Sequence, residues 1–272
     1  MKITEYPSTT APIAADVFLL DGSAGTRKIA ASDLPYALMD LCGVAMHRAV
    51  FRGKNLGSSV TAEQKAAIQN GTFTDLWLGD YLEIGGVKYR IADFDYWYKK
   101  GNPQFTSHHL VILPDAGLGN AKMNDTSITT GGYVGSLMYT TNMTTAKSTI
   151  TTAFPDMVLT HKEYLINTMT SGYPSAGAYV DSSIELPNEP MIYGSYIYTP
   201  ANNGTTDVKR YTISNTQLAL LRLCPEYIIS GSGYWLRDAV SASHFARVDS
   251  HGGATSTGAA NAYDIRPVFP IG

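Results

Sequence analysis

The sequence predicts a β-rich α+β fold, with short helices set against a heavily looped antiparallel sheet. Three observations point there. Hydrophobic residues make up 44% of the chain, enough for a packed core, so disorder is excluded. Only 16% of residues are charged, while Thr, Ser, Gly and 18 Tyr are abundant, a composition suited to strands and tight turns rather than helical bundles. Short apolar runs are separated by long Gly/Ser/Thr/Asn connections, with no repeat at a fixed period. A length of 272 residues allows one large or two modest domains.

The elements follow in order. "DVFLLDG" (16–22) and "GTRKIA" (25–30) read as a hairpin turning at Asp21 to Gly25. "SDLPYALMDL" offers Ser32 as a helix N-cap, with Leu34, Ala37, Leu38 and Leu41 at helical spacing. A hairpin and one helix cannot bury a core alone. Residues 1–46 are therefore expected to be a separate leading segment that either packs on the rest of the chain or docks on a partner, and residues 47–272 the main domain. In the latter, Thr61 and Gln64 form a capping box that opens a helix ending at Asn70-Gly71. "YLEIGGVKYRIADFDYWY" alternates about Gly85-Gly86 as a hairpin, and "HHLVILPD" reads as a buried strand. Further helices are expected at 144–154, at 160–169 with Thr160 and Glu163 as capping box, and at 214–223 with Ser214 and Gln217 as another.

Function classes are narrowed by what these residues can do. A formal charge of −3 with no Lys/Arg run leaves no electrostatic footprint for nucleic acid. No apolar stretch approaches a membrane span, and the N-terminus lacks the apolar core of a secretory signal, so synthesis in a cytoplasm is expected. Cys42 and Cys224 have no paired spacing and read as free, buried thiols. "GLGN" (117–120) lacks the third glycine and the βαβ setting of a nucleotide loop. His108 and His109 are adjacent, would point to opposite faces of a strand, and read as polar rim residues rather than ligands of one metal. Asp93 and Asp95 would share a strand face, where they could bind a hard cation or divide acid and base roles; capping of neighbouring backbone N–H groups is the simpler reading. "ELPNEP" places Glu185, Asn188 and Glu189 where they could collect oxygens for calcium, although its prolines equally suit a rigid turn. No cofactor, metal or catalytic residue is expected.

The tail, Tyr234 to Gly272, holds a polar stretch between two aromatic and apolar ends. Trp235-Leu236-Arg237, Phe245-Ala246-Arg247-Val248, Gly252-Gly253 and Ile265-Arg266-Pro267-Val268-Phe269 together resemble the closing motif of C-type-lectin-fold domains in bacteriophage receptor-binding and fibre proteins, including retroelement-diversified tropism determinants. "FRGKNLGSSVTAEQKAAIQNGTF" (51–73) and "GGYVGSLMY" (131–139) are similar to prophage structural proteins, and "ADVFLLDGSAGTRKIAASDL" (15–34) resembles the leading segment by which phage fibres join the virion.

The resemblance implies a C-type-lectin-like domain over 47–272, with Trp235 and the last strand as buried anchors and the polar middle as a display surface. Its ligand-binding residues would be Ser243, His244, Arg247, Asp249, His251, Thr255 and Asn261. Arg237 and Arg266 would be structural, pairing beneath the loops. The Glu-Pro-Asn or Gln-Pro-Asp and Trp-Asn-Asp groups of calcium-dependent sugar binders are replaced here by Leu-Pro-Asn-Glu and Trp-Leu-Arg-Asp, and the cysteines of the formylglycine-generating branch are missing. The expected role is a virion fibre or tip protein, assembled as a homo-oligomer, with a trimer the expected number. It would contact other virion proteins through the N-terminal segment and a host-surface glycan or protein through the tail. The alternative is a head-fibre or decoration protein; a glycan-processing enzyme is a distant third.

Overall fold

Among the described residues, burial begins at His47. The computed structural model describes residues 17–20, 27–200 and 211–272, and no described side chain upstream of His47 is buried. β1 (Val17–Leu20) pairs antiparallel with β2 (Arg27–Ala30), as the hairpin reading requires; the expected turn at 21–25 lies outside the described residues. α1 (Leu34–Met39) is N-capped by Asp33 rather than Ser32, with Pro35 in its first turn, where a missing N–H costs nothing. It buries none of its residues, and Leu38 and Leu41 stand 57% and 84% exposed. α2 (Val44–His47) then delivers His47 into the core, its ring stacked on Trp77 at 4.4 Å with Phe73 and Phe94 beside it.

Along the rest of the chain come α3 (Ala62–Gln69), β3 (Tyr81–Ile84), β4 (Val87–Phe94), β5 (Leu110–Pro114), β6 (Asn120–Lys122), α4 (Thr144–Ala153), β7 (His161–Thr170) and β8 (Tyr173–Ser182). They are followed by α5 (Glu189–Tyr193), α6 (Ala219–Leu223), β9 (Tyr234–Ala239), β10 (His244–Val248), β11 (Ala254–Gly258), β12 (Ala262–Asp264) and β13 (Phe269–Ile271). Mixed helix and sheet with mainly antiparallel pairing makes the fold α+β. One sheet has the order β13-β5-β4-β3, another β11-β10-β9-β12-β6, and β7 and β8 form a separate ribbon. Gly85 and Gly86, at φ 59° and 79°, make the β3–β4 turn, which L-residues with a Cβ would strain. All five β5 residues are buried, as its continuous apolar run foretold. Trp77, Trp97 and Trp235 are fully enclosed, and one contiguous core joins both larger sheets to α3–α6.

Two expected helices differ. Residues 160–169 are not a helix: His161, Glu163 and Leu165 alternate inward on β7, whose partner β8 runs beside it through ten residues. Glu163 cannot return to the Thr160 N–H as a capping box requires. Its carboxylate accepts from the Ser214 hydroxyl and the Ile213 N–H, and ion-pairs with Arg237 at 3.1 Å. The same contact removes Ser214 from its expected capping role, so α6 starts five residues later, at Ala219, whose N–H donates to Asp93 at 3.1 Å.

Smaller corrections concern the tail and the thiols. The last strand comprises Phe269–Ile271, not Ile265–Phe269; Arg266 upstream of it donates to the carbonyls of Pro114, Tyr227 and Ile228. Both cysteines are free, but neither is buried: Cys42 lies exposed in the turn before α2 and Cys224 is half-exposed after α6.

Candidate functional site

Trp235 and Phe269 are fully buried, and the Trp235 indole N–H donates to the Ala121 carbonyl at 2.9 Å. None of the seven expected ligand residues is buried: His251 and Asn261 are exposed, and Ser243, His244, Arg247, Asp249 and Thr255 are half-buried. They do not form one patch. The β10–β11 hairpin spreads them along its length, with Ser243, His244 and Asn261 at one end, Arg247 opposite Thr255 midway, and Asp249 and His251 in the far turn.

Three of the seven make structural contacts, among them Asn261, whose side-chain amide donates to the Gly258 carbonyl at 3.0 Å. Asp249 accepts from the N–H groups of His251 at 2.8 Å and Gly253 at 2.9 Å, closing the 249–253 turn, and these bonds lower its pKa. Arg247 lays its guanidinium over the Tyr263 ring at 4.2 Å. The turn is also held from outside, by the Tyr193 hydroxyl donating to the Gly252 carbonyl.

The Ser243–His244 end meets a concavity that the sequence did not disclose. The β7–β8 ribbon turns at Ser171 and Gly172, with φ of 52° and 83°, and a Cβ on Gly172 would lie 3.3 Å from the Ala242 nitrogen. The hairpin tip is therefore pressed against the 241–244 loop. The Thr129 N–H donates to the Ala242 carbonyl and its hydroxyl to that of Ser241, while the Met169 N–H donates to the Thr130 carbonyl. Between these segments lies a depression of about 300 Å³ lined by Thr129, Thr130, Thr170, Ser171 and Ala242, among others. Ser243 and His244 follow directly. The Ser241 hydroxyl accepts from both their N–H groups, and the Ser243 hydroxyl sits 2.8 Å from His244 Nδ1. Asn261 belongs to the same end, its neighbour Ala260 donating from N–H to the Ser127 hydroxyl. Hydroxyls, with no carboxylate or ammonium in the lining, suit a neutral hydrogen-bonding ligand. The "SG" at 171–172 was the available signal for this hairpin tip, masked by the helical reading of 160–169.

Side chains considered for chemistry are occupied elsewhere. β4 ends at Phe94 and Asp95 has φ 51°, so Asp93 and Asp95 do not share a face. Asp93 binds Arg48 Nε at 2.6 Å and the N–H of Phe94 and Ala219; Asp95 accepts from the His109 N–H and from His108 Nδ1 at 2.7 Å. His109 is not a rim residue. It is fully buried, donating through Nδ1 to the Ser107 carbonyl and accepting the Trp97 N–H at Nε2, and burial lowers its pKa to about 4.

In 185–190, Glu185 accepts from the Tyr133 hydroxyl and its pKa is raised by burial. The Asn188 carbonyl oxygen caps α5. The Glu189 carboxylate accepts from the N–H groups of Ile197, Tyr198 and Thr199 and from the Thr199 hydroxyl, anchoring the loop that carries Tyr196 and Tyr198. Among the described residues no three His, Cys, Asp or Glu side chains gather as a metal site, and no helix is long and apolar enough to cross a membrane. Arg237 is buried within ion-pair distance of Glu163, although its Nη2 is not aligned for a hydrogen bond.

Comparison with protein-family models, with curated proteins and with solved structures gave no match.

Proposed function

We propose that this chain is a bacteriophage virion fibre or tip protein whose C-terminal, C-type-lectin-like surface attaches to a host cell-surface ligand, with no enzymatic step. The observation that carries the reading is the division of labour within the tail. Trp235, Phe245, Val248 and Phe269 are fully or almost fully buried, while every expected contact residue reaches solvent at least in part and the Ser243–His244 end borders a hydroxyl-lined depression. A rigid frame under adaptable polar side chains is what a recognition surface needs. The sequence resemblance to phage fibre proteins supplies the biological setting. The exposed apolar residues of β1 and α1 supply a contact for other virion chains or for copies of this one.

Adhesion of the fluorescently labelled protein to host cells tests this. Replacing Ser243, His244 and Asn261 together by Ala should abolish adhesion with a melting temperature close to wild type, because none of these side chains is buried. Retained adhesion by the folded variant would move the receptor surface elsewhere. A decoration role, the second reading, is favoured by the same exposed N-terminal apolar residues. It predicts binding to capsids or tail tubes and none to cells. Adhesion is also expected to survive chelation, since Glu185, Asn188 and Glu189 are each engaged by protein donors; loss on chelation with rescue by calcium would contradict that.

A further inference from the structure

We propose that His47 and Asp40 form a pH-sensitive clasp, which fastens the leading segment to the main domain when a proton enters between them. His47 is wholly enclosed, with its ring stacked on Trp77. Its Nδ1 lies 2.6 Å from the Leu76 carbonyl oxygen, which can only accept, so Nδ1 carries a hydrogen. A neutral imidazole with its hydrogen there has a bare Nε2. That nitrogen faces Asp40 Oδ1 at 3.6 Å, and neither of these buried atoms has a hydrogen-bond partner in the protein. Two lone pairs confront each other away from water, which costs free energy until a hydrogen comes between them. A proton taken from solvent onto Nε2 makes an imidazolium that donates to Asp40, and the contact becomes a charge-assisted hydrogen bond.

Asp40 lies in the turn that follows α1, and its Oδ2 accepts the Asp75 N–H at 3.2 Å. Trp77 meets both the His47 ring and, at 5.5 Å, the Tyr36 ring of α1. The new bond would therefore close where the leading segment already touches the domain.

Neighbouring charges are matched among themselves. Arg52 holds Asp75 and Asp80, Lys54 meets Asp75 at 3.5 Å, and Arg48 binds Asp93 at 2.6 Å. Asp95 pairs with His108, whose ring meets Phe73 edge-on. Among the described residues, Asp40 alone comes within ion-pair distance of His47. Burial, the largest influence on Asp40, raises its pKa against the lowering pull of the Asp75 N–H, His47 and Arg52. That direction agrees with the clasp: a fastened state holding an extra proton is favoured at low pH and loses that advantage as pH rises.

The test is hydrogen exchange of the full chain, read by mass spectrometry and corrected for the intrinsic pH dependence of exchange. It compares about pH 6 with about pH 8.5, both above the values of about 4 and about 3 at which folded His109 and His161 take up protons. Amides of residues 34–46 should be about tenfold better protected at the lower pH, as one charge-assisted hydrogen bond provides. The His47 Nε2 nitrogen shift should move from that of a bare to that of a protonated nitrogen between the same two conditions. In Asp40→Asn the side-chain amide can donate to the bare Nε2 while its oxygen keeps the Asp75 N–H. Protection in this variant should therefore be high and equal at both pH values. Equal protection of the wild-type segment at both values overturns the proposal, as does a bare Nε2 at the lower one, and both results need only the wild-type chain. A folded Asp40→Asn that keeps the wild-type pH dependence overturns it as well.

Discussion

Glu163 illustrates how one side chain sets its surroundings. Fully buried, it accepts from the Ser214 hydroxyl, the Ile213 and Tyr164 N–H groups, and faces Arg237 at 3.1 Å. Removing its charge leaves a buried guanidinium with its nearest counter-ion gone, so Glu163→Gln should cost about 3 kcal/mol, read as a lower urea midpoint at unchanged slope. His161, two residues earlier, is the opposite case: neither ring nitrogen has a hydrogen-bond partner, and the ring lies on Trp97 at 4.3 Å. Burial, and then the charge of Arg237, lowers its pKa to about 3. Unfolded histidine titrates near 6.5, so between about pH 6.5 and 3 the unfolded chain holds a proton that the folded one refuses. The histidine's contribution to stability is complete above that window and declines as pH falls through it, by about 1.4 kcal/mol per pH unit at the steepest. His109 acts the same way, down to about pH 4. Glu185, with its pKa raised by burial, works in the opposite sense, losing stability as pH rises above its unfolded value. The difference between proteins is therefore the clean measurement: His161→Phe should show a shallower loss of stability on acidification than wild type, and identical slopes would refute the buried neutral imidazole.

Capping boxes show which local signals survive in the fold. Thr61 and Gln64 form theirs, at 3.2 Å and 2.9 Å, because the start of α3 is exposed and no distant group competes. The same spacing at Thr160–Glu163 and Ser214–Gln217 fails because Glu163 and Ser214 bond each other across about fifty residues, a pairing invisible in either local window. Turns fared better, since Gly85-Gly86 must adopt positive φ wherever the strands lie. The tail was legible as buried anchors plus partly exposed polar residues, but the turn that Asp249 closes by accepting from the His251 and Gly253 N–H groups was not. Asp249→Ala should therefore lower the melting temperature, while Thr255→Ala, half-exposed in mid-strand, should hardly change it. Trp235→Ala should cost about 3–5 kcal/mol through the cavity it leaves, and a change under about 1 kcal/mol would show that the frame is not built around it. The depression beside Ser243 was illegible because it needs Thr129, Thr170 and Ala242, brought together only by tertiary contact.

At the scale of the whole molecule, the described residues upstream of His47 contrast with the remainder, and the partner proposed for them would cover what they expose. Val17, Phe18 and Leu19 of β1 are exposed, as are Leu38 and Leu41, whereas the domain from His47 onward encloses its own core. An isolated two-stranded hairpin is marginal in water, so its apolar residues gain most when another chain covers them. The segment is nevertheless tethered. Tyr36 packs against Trp77 with ring centres 5.5 Å apart, the Arg52 guanidinium lies 5.2 Å from the Tyr36 ring, and Asp40 accepts the Asp75 N–H at 3.2 Å. A deletion intended to probe assembly should spare these contacts and end at residue 30, removing β1 and β2 while leaving Tyr36 in place. If the hairpin mediates the proposed homo-oligomer, light scattering should show a smaller assembly, and far-ultraviolet circular dichroism and the melting temperature should stay near wild type because no described side chain in the deleted stretch is buried. Leu38→Gln with Leu41→Gln in the shortened chain should reduce any residual association through the leading segment, since these are its exposed large apolar side chains on and just beyond α1. An unchanged mass after both changes would show that neither the hairpin nor Leu38 and Leu41 carry the proposed assembly contact.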